Sequence, residues 1–129
     1  MDMLVPAAAG LGYVLVAEDD AFIGLDLCDA LEAAGYRVVG PIATAEAILA
    51  EVEREKPGFA VLDVMLKDGP AGRLAQELRR HGIPFLIHSG RSRREPLAAE
   101  FRGAPWLDKP AWPRDVVSAL GELSGPSQV

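Results

Sequence analysis

The stretch of sequence that decides the fold is FAVLD, residues 59–63, a short apolar run that ends on a carboxylate. Three other apolar runs also end on polar residues: VLVAEDD at residues 14–20, FLIHSG at residues 85–90 and WLDKP at residues 106–110. Short, continuous apolar runs are typical of parallel strands that are covered on both faces. The four polar ends would then meet at one edge of a sheet, which is where open α/β sheets bind their ligands.

Length and composition predict one compact domain. The chain has 129 residues, of which 50% are hydrophobic, and this content excludes a disordered chain. We expect a single domain over residues 1–129, with a core of about residues 12–123, an N-terminal extension of residues 1–11 and a tail of residues 124–129. From this length we expect no DNA-binding output domain. The formal net charge of −6 disfavours direct binding of nucleic acid and favours cations or basic partner surfaces.

The sequence also indicates a cytoplasmic protein that does not enter a membrane. The apolar segment of residues 3–17 lacks the basic start of a signal peptide and is shorter than the roughly 20 residues of a membrane span. The single cysteine, Cys28, cannot form an internal disulfide, which fits a reducing compartment.

Strand-type and helix-type patterns alternate along the chain. We predict five strands, at residues 13–17, 37–39, 59–62, 84–87 and 105–107. We predict five helices, at about residues 21–34, 44–55, 72–80, 92–101 and from 113 onward, and a loop at residues 67–70. The fold class is therefore α/β, a doubly wound five-stranded parallel sheet with helices on both faces. The polar second strand suits an edge, which gives the order 2-1-3-4-5.

This order places three carboxylates beside one another, because Asp63 would face Glu18 and Asp19 across the first and third strands. Like charges oppose each other's ionisation, so such a cluster is unfavourable unless a cation joins it. Mg²⁺ prefers a few carboxylate or carbonyl oxygens and retains several waters. Lys109 would add a positive charge and Ser89 a hydroxyl donor, which together suit a phosphoryl group carried on Asp63.

Over about residues 12–123, the chain resembles a response-regulator receiver domain of two-component signalling, a CheY-like protein with a flavodoxin-like fold. The resemblance rests on the acidic pair in VLVAEDD, the aspartate in AVLDVML, the serine in HSG and the lysine in DKP, each at a predicted strand end. The chain looks most like the stand-alone bacterial receivers.

The resemblance implies a role for each of these residues. Asp63 would accept a phosphoryl group from the phosphohistidine of a sensor histidine kinase or a histidine phosphotransfer protein. Asp19 would bind Mg²⁺ directly together with Asp63, Glu18 would act through a water, and the backbone carbonyl of Met65 would be the third protein ligand. The phosphoryl oxygens would be contacted by two further side chains, Ser89 and Lys109.

The resemblance also implies a conformational switch with a protein contact as its output. Ser89 would move toward the phosphoryl group, and Trp106, three residues before the lysine, would change its rotamer and reshape the adjoining surface. The downstream protein is not identified by the sequence. As a separate hypothesis, exposed faces of the first helix, with Phe22, or of the last helix could support a homodimer.

Two alternatives belong to other classes of protein. A degenerate receiver would act as an interaction module that does not depend on phosphorylation, but every acidic and basic site residue is retained here. A Mg²⁺-dependent phosphatase needs a second catalytic acid two residues after its nucleophile, and that position is Met65. We therefore expect a phosphoacceptor that catalyses only its own phosphorylation and dephosphorylation, and not a classical enzyme.

Some polar residues near the site have simpler interpretations. Asp20 is expected to cap the first helix, where acids are favourable. His88 is expected to be a partly buried strand residue. The arginines at positions 91, 93 and 94 are interpreted as a solvated loop and not as a nucleic-acid patch, given the net acidity of the chain.

Overall fold

The structure, a computed structural model, describes residues 12–123. The expected N-terminal extension of residues 1–11 and the tail of residues 124–129 lie outside the described residues. The described residues contain seven strands: β1 (Val14–Ala17), β2 (Val38–Ile42), β3 (Phe59–Leu62), β4 (Met65–Leu66), β5 (Gly69–Pro70), β6 (Phe85–Ser89) and β7 (Trp106–Asp108). Five of them form a parallel sheet in the order β2-β1-β3-β6-β7, which confirms the predicted order 2-1-3-4-5.

Helices cover both faces of this sheet, as the sequence predicts. They are α1 (Ala21–Ala33), α2 (Ala45–Arg54), α3 (Gly72–Arg80) and α4 (Pro113–Leu123), with a 3-10 helix over Pro96–Phe101. Asp20 caps α1, because its Oδ1 accepts hydrogen bonds of 3.0 Å from the N–H groups of Phe22 and Ile23. None of the helices within residues 12–123 is long and apolar enough to cross a membrane.

Two hydrophobic cores lie on opposite faces of the sheet. Successive residues of β1 alternate between them, with Val14 and Val16 on one side and Leu15 and Ala17 on the other. The first core includes Leu27, Leu31, Val116 and Leu120 from α1 and α4, and the second includes Ile48, Val52, Leu74, Leu78 and Phe101 from α2, α3 and the 3-10 helix. Burial on both faces explains why β1 and β3 are continuous apolar runs in the sequence.

The prediction of an α-helix over residues 92–101 is wrong. The chain makes turns before Pro96, and only the six residues of Pro96–Phe101 are helical, in the 3-10 form. Proline lacks an N–H group and is favourable only in the first turn, so a helix cannot run through it from residue 92. Gly103, with φ of 86°, follows within two residues and leaves no room for a longer helix.

Two other predicted boundaries also differ from the structure. The predicted loop at residues 67–70 belongs to a small antiparallel hairpin, in which Met65 of β4 pairs with Pro70 of β5. The edge strand β2 covers Val38–Ile42 and extends beyond the predicted residues 37–39. Gly40 and Pro41 in this strand concealed its length, because both residues are depleted in strand interiors.

Candidate functional site

The ends of β1 and β3 bring carboxylates to the same edge of the sheet. Glu18 and Asp19 follow β1, and Asp63 follows β3, which pairs with β1 in parallel. The N–H of Asp63 donates a hydrogen bond of 3.2 Å to the carbonyl of Ala17, so the pairing continues up to the aspartate. The backbone of two neighbouring strands therefore fixes the position of all three carboxylates.

The three side chains form one acidic cluster. Carboxylate oxygens of Glu18, Asp19 and Asp63 lie within 4.8 Å of one another. Glu18 is 3% exposed and Asp63 is 7% exposed, whereas Asp19 is exposed to solvent. Hard divalent cations bind oxygen donors of this kind, and Mg²⁺ needs only one or two carboxylates with open positions for water. The donor set, with one solvent-exposed carboxylate, therefore fits Mg²⁺.

Lys109 lies directly against this cluster. It follows β7, and its Nζ is 2.7 Å from Glu18 Oε1 and 2.8 Å from Asp63 Oδ2. Burial lowers the pKa of Lys109, but the hydrogen bonds to Asp63 and Glu18 outweigh burial and leave this pKa above its usual value. Lys109 is therefore charged at neutral pH, and its ammonium offsets part of the negative charge at the sheet edge.

Glu18 is the most deeply buried of the three carboxylates. Burial raises its pKa, while the hydrogen bonds from Lys109 and from the backbone N–H of Asp20 lower it and leave a net increase. The Asp20 N–H donates over 3.1 Å to Glu18 Oε2. Both oxygens of the Glu18 carboxylate therefore have a partner, and the side chain is held in one position.

Met65 lies next to Asp63 through its backbone. Its N–H donates a hydrogen bond of 3.4 Å to Asp63 Oδ1, across the turn that leads from β3 into the β4–β5 hairpin. The hairpin thus positions the main chain of Met65 beside the acidic cluster. The side chain of Met65 is half-buried.

Ser89 is the last residue of β6 and is inaccessible to solvent. Its Oγ accepts a hydrogen bond of 3.1 Å from the backbone N–H of Arg91. Its carbonyl accepts a hydrogen bond of 2.9 Å from the N–H of Lys109, so the ends of β6 and β7 are tied together. Ser89 therefore connects the lysine to the loop that follows β6.

Trp106 begins β7 and is half-buried against the core that contains α2 and α3. Its indole N–H donates a hydrogen bond of 3.0 Å to Asp108 Oδ1. The guanidinium of Arg93 donates to the Trp106 carbonyl over 3.0 Å and lies 5.8 Å from the centre of the ring system. The indole is thus held by one carboxylate and covered by one arginine.

His88 is more deeply buried than the partly buried strand residue that the sequence predicted. It is 4% exposed, and neither of its ring nitrogens has a hydrogen-bond partner among the described residues. Burial lowers the pKa of His88, and the charge of Lys109 lowers it further, while Asp63 acts in the opposite direction. The ring lines a cavity of about 100 Å³ with Ile23 and Val116, beneath α1 and α4.

Asp68 supports the site indirectly and was missed by the sequence reasoning. From the β4–β5 hairpin, its carboxylate accepts hydrogen bonds of 2.9 Å and 3.2 Å from the N–H groups of Ala45 and Glu46, at the start of α2. These bonds lower the pKa of Asp68. The hairpin after Asp63 is therefore anchored to α2. In the sequence, only an acid next to Gly69 indicated a structured turn here.

Comparison with solved structures places this geometry in a known family. The chain is 33% identical to SdrG from Sphingomonas melonis Fr1, with 87% of this chain and 95% of that chain covered at a TM-score of 0.73. It is 30% identical to a response regulator receiver domain protein (CheY-like) from Methanospirillum hungatei JF-1, with 88% and 93% covered at a TM-score of 0.76. No family model matches the chain.

A curated relative agrees with these structures. The transcriptional regulatory protein PdtaR of Mycobacterium tuberculosis is 28% identical over 110 residues, which cover 83% of this chain and 54% of PdtaR. The chain spans about half the length of the curated relatives that it matches. The fold, the sheet order and these similarities together show that the chain belongs to the CheY-like response-regulator receiver domains.

Proposed function

We propose that this receiver domain is a phosphoacceptor in a two-component phosphorelay, with Asp63 as the residue that accepts the phosphoryl group. The observation that carries the proposal is the contact of a half-buried lysine, Lys109, with Asp63 and Glu18 inside the acidic cluster. Phosphoryl transfer depends mainly on positioning the reactants and on neutralising the charge of the transferred group. A carboxylate nucleophile with a fixed ammonium beside it supplies both.

The proposed step is an exchange of one bond for another. An oxygen of Asp63 attacks the phosphorus of a phosphohistidine, and a P–O bond forms while the P–N bond breaks. The histidine nitrogen leaves with the electron pair of the broken bond. The donor would be a sensor histidine kinase or a histidine phosphotransfer protein. Lys109, now paired with Asp63 and Glu18, would contact an oxygen of the incoming phosphoryl group.

The acidic cluster would hold Mg²⁺ for this reaction. Asp19 and Asp63 would be direct ligands, the backbone carbonyl of Met65 would be a third, and Glu18 would act through a water. When bound, the cation neutralises charge on the phosphoryl oxygens. The exposure of Asp19 leaves one side of the cluster open to solvent and to a phosphoryl donor. The ion pair between the buried Glu18 and the half-buried Lys109 lies on the other side.

The signal would leave the domain through a change at Ser89 and Trp106. Ser89 Oγ would turn toward the phosphoryl group and Trp106 would alter its packing, and the reshaped surface would bind a downstream protein. Phe22, which is 85% exposed on α1, is available for a homodimer contact. The alternative is a receiver that binds its partner independently of phosphorylation. The retained lysine and carboxylates favour a receiver that is phosphorylated.

Tryptophan fluorescence tests the proposal. Trp112 is 66% exposed and would add a constant background, so the experiment uses the Trp112→Phe variant, in which Trp106 is the single tryptophan of the chain. Mg²⁺ with beryllofluoride should change the emission of Trp106, and Asp63→Asn in the same background should abolish the change. Equal responses with and without Asp63 would contradict the proposal. If a downstream protein bound equally well with and without beryllofluoride, the phosphorylation-independent receiver would be favoured.

A further inference from the structure

A basic pocket lies beside the acidic cluster, and apart from Lys109 its charged residues take no part in the proposed phosphoryl chemistry. It has a volume of about 420 Å³, and its charged lining consists of Arg91, Arg93, Arg94, Lys109 and Asp108. We call it the arginine pocket. Four of the 13 basic residues of an acidic chain thus face one pocket that contains a single acid. Such a concentration of one charge attracts a ligand of the opposite sign.

Only some of the basic side chains of the arginine pocket have a carboxylate partner. Arg91 pairs with Glu95 at 3.1 Å, and Lys109 is engaged by Asp63 and Glu18. Within residues 12–123, no carboxylate pairs with Arg93 or Arg94, and both are exposed. The guanidinium of Arg94 and the N–H groups of Arg93 that do not bond to the Trp106 carbonyl can therefore donate to an anionic ligand.

The arginine pocket is connected to both residues of the proposed switch. The backbone N–H of Arg91 donates to Ser89 Oγ over 3.1 Å, and the guanidinium of Arg93 donates to the Trp106 carbonyl over 3.0 Å. If Ser89 Oγ turns to a phosphoryl group, the bond to Arg91 is lost and the loop is released at that point. Any change in the packing of Trp106 moves the partner of Arg93. With the proposed switch, the shape of the arginine pocket would therefore depend on the state of Asp63.

We propose that the arginine pocket binds an acidic segment of a partner protein, and that phosphorylation of Asp63 changes the affinity for it. The second part rests on the proposed function. Arginine binds carboxylates through paired, charge-assisted hydrogen bonds, and a pocket of this size holds a few Asp or Glu side chains. The partner class is thus defined by chemistry, as a protein with a short run of acids.

The surroundings of the arginine pocket favour an acidic peptide over a nucleic acid. Single-stranded RNA is recognised largely by stacking of bases on aromatic rings. The ring of Trp106 packs on the core and is covered by Arg93, so it does not offer an open face for stacking. The net charge of −6 also repels a long polyanion, whereas a short acidic segment contacts only the arginine pocket.

The test uses fluorescein-labelled hexaglutamate and the full chain, with binding followed by fluorescence anisotropy at low salt. Arg93→Ala and Arg94→Ala should each weaken binding by about tenfold. Arg80→Ala is the matched control, because Arg80 is an exposed arginine on α3 whose carboxylate partner is Glu77. It should bind hexaglutamate like the wild type. Absence of hexaglutamate binding, or equal loss in Arg80→Ala, would overturn the proposal, as would tighter binding of labelled hexauridine.

The coupling is measured in the same assay with Mg²⁺ and beryllofluoride. The Kd for hexaglutamate should change by about fivefold or more in the wild type and stay constant in Asp63→Asn. A constant Kd in the wild type, together with a Trp106 fluorescence response in the Trp112→Phe variant, would overturn the coupling and leave the phosphoacceptor proposal intact. A missing fluorescence response would instead count against the phosphoacceptor proposal, while arginine-dependent binding would still support the pocket.

Discussion

The ammonium of Lys109 lies 2.8 Å from the carboxylate of Asp63, although the two residues follow strands that are separated by β6 in the sheet. The lysine side chain therefore reaches across the end of β6 to meet the aspartate. Side-chain exposures of 17% for Lys109 and 10% for Asp63 show that the pair is largely shielded from water. A shielded pair of this kind is costly to break, because the partner that remains is left charged and unpaired.

Lys109→Met is expected to destabilise the protein and to make its stability depend on Mg²⁺. In this variant Glu18 and Asp63 lose the ammonium of Lys109 as their partner. The free energy of unfolding should therefore fall by about 3 kcal/mol at neutral pH. Added Mg²⁺ should recover part of the loss, because a ligand that binds only the folded state stabilises it. Urea unfolding with EDTA or with Mg²⁺ measures both effects.

The control for this prediction is Lys56→Met, which removes an exposed lysine next to α2. It should leave the free energy of unfolding within experimental error in both buffers. If Lys109→Met were as stable as Lys56→Met in EDTA, the lysine would not be compensating the buried carboxylates.

His88→Leu is expected to stabilise the protein. Both ring nitrogens are buried without a hydrogen-bond partner among the described residues, so replacing the ring by an apolar side chain removes their desolvation cost. The expected gain at pH 7 is about 1–2 kcal/mol in the free energy of unfolding. Urea unfolding of the variant and the wild type checks it, with His81→Leu as the control at the other histidine, which is half-buried after α3.

The same histidine predicts a pH dependence of stability. The pKa of His88 is lowered in the folded state, so the unfolded state, with a pKa of about 6.5, binds more protons near that pH. Wild-type stability should therefore fall as the pH decreases through about 6.5 toward the lowered folded-state pKa. The free energy of unfolding of His88→Leu should therefore exceed that of the wild type by more at pH 5.5 than at pH 7.5. The expected increase in this difference is up to about 1 kcal/mol. A constant difference between the two proteins over this range would contradict the prediction.

Gly24→Ala is expected to loosen the contact between α1 and β2. A Cβ atom at position 24 would lie 2.5 Å from Cβ and 2.7 Å from Cγ of Pro41, closer than real Cβ contacts allow. Overpacking of this kind costs about 1–3 kcal/mol, even though alanine favours helices. Gly121→Ala in α4 is the matched control, because a Cβ there meets no atom within 4 Å, and it should stabilise by about 0.5–1 kcal/mol. Thermal unfolding of both variants decides the sign of each effect.

Most of the sheet was predictable from the sequence, because a parallel sheet leaves a strong local signal. Strands such as β1 and β3 are buried on both faces and therefore read as unbroken apolar runs. Their polar ends predicted that Glu18, Asp19 and Asp63 would meet, and the structure brings these carboxylates within 4.8 Å. The roles assigned to them in phosphoryl transfer remain predictions.

The features that the sequence did not predict depend on contacts between distant segments. Asp68 binds the start of α2 from 22 and 23 residues away, and no local pattern marks such a partner. The 3-10 form of Pro96–Phe101 follows from a proline and from packing of Phe101 in the core, which override the helical pattern before it. The lack of partners around His88 is a property of the packed interior and leaves no trace in the neighbouring residues.

The most direct measurement is the site of phosphoryl transfer. The chain is incubated with a phosphorylated histidine kinase or with phosphoramidate, which carries the same P–N bond, and the modified residue is mapped by mass spectrometry. A single phosphoryl group should appear on Asp63, should require Mg²⁺, and should be absent from Asp63→Asn. Modification of another residue, or equal modification of the wild type and Asp63→Asn, would contradict the assignment of Asp63 as the phosphoacceptor.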